Sequence, residues 1–163
     1  MSNTVRLASL SSFSSVDGPG LRTVIWFQGC IHQCVGCHNP QSHDLGAGYL
    51  VEVRDLLDQI RAIDNKKITI SGGDPFLQKH ALNEICIALK ADGYHIWIYT
   101  GYDIETLFQD TLNRSTLAHS DVLVDGKFEL AQRDINSQYK GSTNQRVIQL
   151  SQYISSMHID NLM

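Results

Sequence analysis

The alternation of strand-like and helix-like segments is the property of this sequence that most restricts its fold. The strand-like segments are short runs of β-branched, aromatic and aliphatic residues, and the stretches between them carry apolar residues at helical spacing. The predicted strands are residues 23–27, 67–71, 95–99 and 122–124, and the predicted helices are residues 51–63, residues 82–89 with an end at Gly93, and residues 104–112 after an Asp103 cap. This alternation predicts βα units and a largely parallel sheet.

The length of the chain limits how far such a sheet can close. A closed eight-stranded barrel needs about 250 residues, and this chain has 163. The sequence therefore predicts an α/β fold in which an incomplete, open βα barrel with largely parallel strands forms a single domain over residues 1–163. Residues 130–145 are polar and are expected to form a surface excursion, and residues 151–163 a short helix or a frayed end.

Unusual residues follow each predicted strand directly. The segments are Cys30 onward, Gly72-Gly73-Asp74, Thr100-Gly101-Tyr102 and Asp125-Gly126-Lys127. In α/β sheets and barrels, ligands bind at the carboxyl ends of the strands. The order of the sequence therefore predicts that these four segments meet at one edge of the sheet and form the functional site.

Three of the four cysteines lie within eight residues, as Cys30, Cys34 and Cys37 in a C-x3-C-x2-C arrangement. In a reducing compartment, such a group is expected to bind metal rather than to form disulfides. Three thiolates can hold three irons of a cubane cluster and leave the fourth iron open to another ligand. The fourth cysteine, Cys86, lies on the apolar face of a predicted helix and is expected to be a buried structural thiol.

A structural zinc ion is the alternative occupant of the cysteine group. It would take the same three thiolates and one histidine. The candidate histidines are His32, His38 and His43. Structural zinc sites usually draw their ligands from two separated pairs, and this sequence has only one group, which favours the iron cluster.

Composition restricts the partners of the protein. The formal net charge of −4 offers no basic surplus to neutralise phosphates, so no nucleic-acid partner is expected. The chain has no apolar run of about 20 residues, the length that crosses a bilayer, so no membrane partner is expected either. The first ten residues lack the features of a signal peptide, which predicts a cytoplasmic location.

The cysteine arrangement resembles the signature of the radical S-adenosylmethionine superfamily. The flanking segments 17–22 and 37–40 are similar to those of its glycyl-radical-enzyme activases. The short length and the segments 100–102, 122–128 and 141–145 resemble the activating enzymes of anaerobic ribonucleotide reductases. The resemblance extends from about residue 17 to about residue 150.

The resemblance implies a reaction and its partners. A [4Fe-4S] cluster would reductively cleave S-adenosylmethionine, and the 5′-deoxyadenosyl radical would remove a hydrogen atom from a glycine of a partner enzyme. The implied partners are the glycine-bearing loop of the large subunit of an anaerobic ribonucleotide reductase and a one-electron donor such as flavodoxin or ferredoxin. Two alternatives share the chemistry: an activase of a pyruvate formate-lyase type of enzyme, and a small-molecule radical enzyme such as a deazapurine synthase.

The resemblance also implies which residues bind the cosubstrate. The segment Gly72-Gly73-Asp74 would contact the methionine amino group through its backbone, since glycines permit close approach. The adenine would lie against Gly36, Cys37 and His38, and the cosubstrate carboxylate against Lys127. Ordinary turns are the alternative interpretation for two of these segments: a strand-to-helix turn before Pro75 and a hairpin turn after residue 124.

Overall fold

The computed structural model describes residues 3–160, except for the side chains of residues 158–160. One seven-stranded sheet in the order β3-β1-β2-β4-β5-β6-β7 runs through it. The strands are β1 (Thr4–Ser14), β2 (Arg22–Phe27), β3 (Tyr49–Glu52), β4 (Lys67–Gly72), β5 (His95–Tyr99), β6 (Val122–Asp125) and β7 (Arg146–Gln149). The α-helices are α1 (Val53–Arg61), α2 (Lys79–Ala91), α3 (Ile104–Leu107), α4 (Thr111–Ala118) and α5 (Leu150–Asp160).

The central strands of the sheet are parallel and its outer strands are antiparallel. Strands β2, β4, β5 and β6 pair in parallel, as the strand–helix alternation predicts. Strand β1 pairs antiparallel with both β2 and β3, and β7 pairs antiparallel with β6. The fold is therefore α/β with a mixed sheet, and the prediction of largely parallel strands holds for its core only.

Two predicted helices differ from the structure. The helix expected over residues 51–63 begins at Val53, because residues 49–52 pair with β1 instead. Asp103 caps α3 as predicted and accepts a hydrogen bond from the Thr106 amide at 2.8 Å. The helix expected to continue through residue 112 ends at Leu107, because Asp110 caps a second helix, α4.

The two faces of the sheet bury different side chains, because neighbouring strand residues point in opposite directions. Ile96 and Ile98 of β5 belong to the main core with residues of the helices. Trp97 lies on the other face, where it packs with Val122 and Val124 and against Tyr139. Residues 126–145, which contain Tyr139, therefore cover part of this second face.

The remaining predictions concern the ends of the chain. Residues 130–145 contain one short 3-10 helix, Leu130–Gln132, and an isolated bridge between Arg133 and Ser142, so the surface excursion is confirmed. The tail forms α5 to residue 160, and residues 161–163 lie outside the described residues. Within residues 3–160, no helix has the length and hydropathy required to cross a membrane.

Candidate functional site

Three thiols of the loop after β2 line one small cavity. Cys30, Cys34 and Cys37 are free and half-buried. The cavity that they share has a volume of about 110 Å³. Its other walls come from the ends of β4, β5 and β6, through Ser71, Gly72, Gly73, Thr100, Gly101 and Gly126. The segments that follow four different strands therefore meet at the carboxyl edge of the sheet, as the sequence predicts.

The glycine segment after β4 fastens the cysteine loop to the sheet. The Gly73 amide donates to the Phe27 carbonyl at 2.8 Å, and the Asp74 amide donates to the Gly29 carbonyl at 2.7 Å. A Cβ atom on Gly73 would lie 2.1 Å from the Gly29 oxygen. Gly72 has φ +109°, and a Cβ there would lie 2.2 Å from the Phe27 oxygen. The two glycines are therefore required by the close approach of two backbones, besides lining the thiol cavity.

The Asp74 side chain is turned into the protein. It is 1% exposed. It accepts hydrogen bonds from the Thr100 hydroxyl at 3.0 Å, the Gly101 amide at 2.8 Å and the Phe76 amide at 3.1 Å. His32 Nε2 lies 2.5 Å from its Oδ2. Because an ionised carboxylate has about four acceptor directions, these partners occupy the side chain.

The turn interpretation of the same segment also holds. Residues Pro75–Gln78 form a 3-10 helix, and Asp74 is its N-cap. The segment is therefore both a helix start and a wall of the thiol cavity, so the two interpretations do not exclude one another.

The three histidines that a zinc site would use lie in different surroundings. His32 contacts Asp74 as above, and His43 Nε2 lies 3.3 Å from Cys37 Sγ. His38 is exposed and makes an edge-to-face contact with Phe128, with ring centroids 5.3 Å apart. Among the side chains of residues 3–157, no three of His, Cys, Asp or Glu gather closely enough to hold a single metal ion.

The surroundings of the thiols affect their ionisation. Burial raises the pKa of Cys30, and a hydrogen bond from the His32 backbone amide opposes that rise. Burial likewise raises the pKa of Cys34, against the positive charge of Lys127 among other influences. Since metals bind thiolates, a metal group bound at Cys30 and Cys34 would displace their protons.

A second cavity of about 410 Å³ continues from the thiols along the second face of the sheet, the face that carries Trp97. Cys37 and Phe128 line both cavities, and His38 lines the larger one. The sheet contributes Trp26, Ser71 and Tyr99, and the covering segment contributes Tyr139, Gly141 and Gln145. Burial raises the pKa of the Tyr99 hydroxyl, so this hydroxyl stays neutral. The larger cavity therefore offers an aromatic wall next to the thiols, and Asp17 and Lys140 add charged groups to its lining.

The remaining predicted residues lie at the rim of the site. Gly36 has φ +75°, and a Cβ there would lie 3.1 Å from a methyl of Leu130, so it packs under that side chain. Lys127 is exposed, and its carbonyl accepts a hydrogen bond from Asn144 at 2.8 Å. Neither residue lines the two cavities. The structure thus brings together the cysteines and the glycine pair, with His38 beside them.

Sequence reasoning missed most of the aromatic wall. Tyr99 is the last residue of a predicted strand, and its position just before the Thr100 segment was the available signal. Tyr139 lies 40 residues further along the chain, in a segment without a periodic pattern, and no local signal identifies it. A separate cavity of about 730 Å³ is lined by Tyr102 but by none of the three cysteines, the Gly72-Gly73-Asp74 segment, His38 or Lys127.

Comparison with known proteins gives the class of protein to which this fold and site belong. Residues 16–148 match a family model described as a 4Fe-4S single cluster domain, and the match contains the cysteine loop and the glycine segment. The chain is also similar in fold to QueE from Escherichia coli, with a TM-score of 0.50 and 19% identity over 60% of this chain and 52% of that one. The fold and the site therefore define a 4Fe-4S single cluster domain protein.

Two relatives narrow the class. The anaerobic ribonucleoside-triphosphate reductase-activating protein of Pasteurella multocida is 34% identical over 150 residues, which cover 85% of this chain and 93% of the relative. The pyruvate formate-lyase-activating enzyme of Listeria monocytogenes is 37% identical over 101 residues, and the match spans 57% of this chain and only 40% of that protein. The chain belongs to the family of anaerobic ribonucleoside-triphosphate reductase-activating proteins. The family match favours a 4Fe-4S cluster over zinc as the metal group of this protein.

Proposed function

We propose that this protein is the activating enzyme of an anaerobic ribonucleotide reductase and that it uses S-adenosylmethionine to generate a glycyl radical on the large subunit. The observation that carries the proposal is the placement of the thiols of Cys30, Cys34 and Cys37 around one cavity at the carboxyl edge of parallel strands. Family membership supplies the identity of the partner.

The residues at this cavity fit a [4Fe-4S] cluster. Three thiols without a carboxylate among the lining side chains form a soft donor set, which is the kind that iron–sulfur clusters use. When bound, the cluster supplies the electron that cleaves S-adenosylmethionine to methionine and the 5′-deoxyadenosyl radical, which removes a hydrogen atom from the glycine. The protein contributes binding, orientation and exclusion of water.

Residues around the thiols are proposed to orient the cosubstrate. The backbone of Gly72 and Gly73 borders the thiol cavity, and carbonyls of the segment Gly72-Gly73-Asp74 would accept from the methionine ammonium. The His38 ring lines the adjoining cavity beside Cys37, which suits contact with the adenine edge or face. Gly36 would contribute backbone at the same place, and the exposed ammonium of Lys127 would attract the cosubstrate carboxylate.

The reductase glycine is proposed to enter through the open side of the sheet. Strands β3 and β7 end the strand order, so the sheet is proposed to be an incomplete barrel. An unclosed wall would admit a loop from a large partner to the 410 Å³ cavity. Residues 1–163 are proposed to act as one domain, with flavodoxin or ferredoxin as the electron donor. The cytoplasmic location stays a prediction.

The test is anaerobic reconstitution of the wild-type protein and of the variants C30A, C34A, C37A and C86A. We expect about four irons per wild-type chain, deoxyadenosine production under dithionite, and the electron spin resonance signal of a glycyl radical after mixing with the reductase. C86A should match the wild type. Retention of iron and deoxyadenosine production by all three loop variants would overturn the proposal.

The choice of partner is tested in the same samples. A glycyl radical that forms on pyruvate formate-lyase but not on the reductase would move the assignment to the other activase. Cleavage that proceeds to a small-molecule product without any protein partner would move it to a small-molecule radical enzyme.

A further inference from the structure

The arm of the loop between Cys30 and Cys34 lies in neither a helix nor a strand, although it carries two of the three thiols. Gln33 within it has φ +51°, a conformation that residues other than glycine adopt uncommonly. A side-chain contact, rather than helix or strand hydrogen bonds, must therefore hold this arm in place. The middle residue of the arm, His32, supplies that contact.

His32 is exposed through only 5% of its side chain, in an arm whose neighbours Ile31 and Gln33 are exposed. Its Nε2 lies 2.5 Å from Oδ2 of Asp74, which is fully buried. An ionised carboxylate only accepts, so the ring donates through Nε2. A hydrogen bond to a charged acceptor is among the stronger ones in proteins.

The ring of His32 also fits a space that glycine leaves open. A Cβ atom on Gly101 would lie 2.5 Å from its Cδ2. Tyr102 packs against the ring edge-on, with centroids 4.6 Å apart. The hydrogen bond to Asp74, the close approach to Gly101 and the contact with Tyr102 all involve one imidazole. Together they hold the ring in place.

Asp74 connects this imidazole to two strands. Its backbone follows β4, and its side chain accepts from Thr100 and Gly101, which follow β5. His32 follows Cys30 by two residues and precedes Cys34 by two. Its side chain therefore joins the thiol-bearing arm to the ends of β4 and β5.

We propose that Asp74 and His32 are positioning residues that anchor the arm carrying Cys30 and Cys34 to the ends of β4 and β5. The anchor sets the direction of the two thiols. This inference rests on the proposed function in one respect, namely that the thiols hold the cluster. Hydrogen bonds to cluster sulfurs and outer contacts of metal ligands tune the metal site without touching the metal.

Two substitutions separate the hydrogen bond from the ring packing. H32Q keeps an N–H donor near the place of Nε2, whereas H32F keeps a ring against Gly101 and Tyr102 but cannot donate. H119Q is the matched control, because the His119 ring lies away from the thiols and its Nδ1 lies 2.7 Å from the Ser115 carbonyl of the preceding helix. Unfolding curves identify any variant that does not fold. In that event H32N, whose amide is too short to reach Asp74, replaces H32F.

The first measurement uses the metal-free protein. Alkylation of Cys30 and Cys34, followed by mass spectrometry, should be about tenfold faster in H32F than in the wild type because the arm opens without its hydrogen bond. H32Q and H119Q should alkylate at close to the wild-type rate. Equal alkylation rates in H32F and H32Q would contradict the proposed role of the His32 hydrogen bond. Because no cluster is present, this result does not depend on the proposed function.

The second measurement uses the reconstituted protein. Iron release from H32F to a chelator should be about 10- to 100-fold faster than from the wild type. H32Q should restore the wild-type rate of iron release. Wild-type values for H32F in both measurements would overturn the inference. A wild-type protein that binds no iron would instead refute the proposed function and leave the alkylation result standing.

Discussion

Arg22 donates from Nη2 to Nδ1 of His95 at 2.9 Å and thereby joins the start of β2 to the start of β5 across β4. The same nitrogen donates to the carbonyl of Ile68 at 2.8 Å, and Nε donates to the Thr69 hydroxyl at 2.8 Å. The guanidinium is only 1% exposed. This contact lies at the amino-terminal edge of the parallel strands, opposite the thiols, where such networks serve stability rather than catalysis.

The contact predicts a pH dependence of stability. Burial lowers the pKa of His95, and Arg22, Lys90 and Lys67 lower it further against the influence of Asp121. Arg22 can only donate, so the folded state holds the imidazole neutral. In the unfolded chain the imidazole of His95 has a pKa of about 6.5. In the folded protein the same imidazole binds a proton only at lower pH. The free energy of unfolding therefore falls as the pH drops below about 6.5.

The variant H95N tests this dependence. The amide oxygen of asparagine can accept from Arg22 in place of Nδ1, and it does not titrate. We expect the variant to lose the part of the decline in stability between about pH 6.5 and pH 5 that His95 causes. Denaturant unfolding at several pH values measures it, with H119Q as the control. The same slope in H95N and the wild type would contradict the prediction.

The close approach of the Gly73 and Gly29 backbones gives a second prediction. In G73A the added Cβ would lie only 2.1 Å from the Gly29 oxygen. Neither backbone segment can move away without displacing the cysteine loop. We expect a loss of about 1–3 kcal/mol in the free energy of unfolding, together with poorer iron retention.

The control for this variant is G46A. A Cβ on Gly46 would lie 3.6 Å from Asp44 Oδ1, an ordinary contact, and the residue does not have a positive φ. Its stability should change by at most about 0.5 kcal/mol. Chemical denaturation of the metal-free proteins compares the two variants, and equal stability would show that the loop adapts to a side chain at Gly73.

The sequence predicts the parts of this fold that depend on local patterns. Buried runs such as residues 23–27 identify the parallel core, and the C-x3-C-x2-C spacing identifies the thiols. Strand β1 is half-exposed and rich in serine, so its pattern is weak, and its pairing with β3 is non-local. The contact between His32 and Asp74 joins residues 42 positions apart and needs the missing side chain of Gly101, so no spacing rule reveals it.

Cys86 gives a third prediction, because it should remain unreactive in the folded protein. It is fully buried, and burial raises the pKa of its thiol to about 12. At pH 8 only about one molecule in ten thousand would carry a thiolate there. Iodoacetamide should therefore modify three cysteines of the native metal-free protein and all four after unfolding. Mass spectrometry counts the adducts, and a fourth adduct under native conditions would contradict the burial of Cys86.

The exposed ring of His38 gives the last prediction. Its edge-to-face contact with Phe128 holds the imidazole beside the 410 Å³ cavity, so the ring is available to the adenine of the cosubstrate. H38A should weaken binding of S-adenosylmethionine to the reconstituted protein about fivefold, as expected for the loss of an aromatic contact of roughly 1 kcal/mol. H38F keeps a ring and should recover most of the affinity, while the iron content of both variants stays at the wild-type level. Equilibrium dialysis measures the three dissociation constants. Equal constants in all three proteins would remove His38 from the binding site and leave the backbone around Cys37 as the adenine contact.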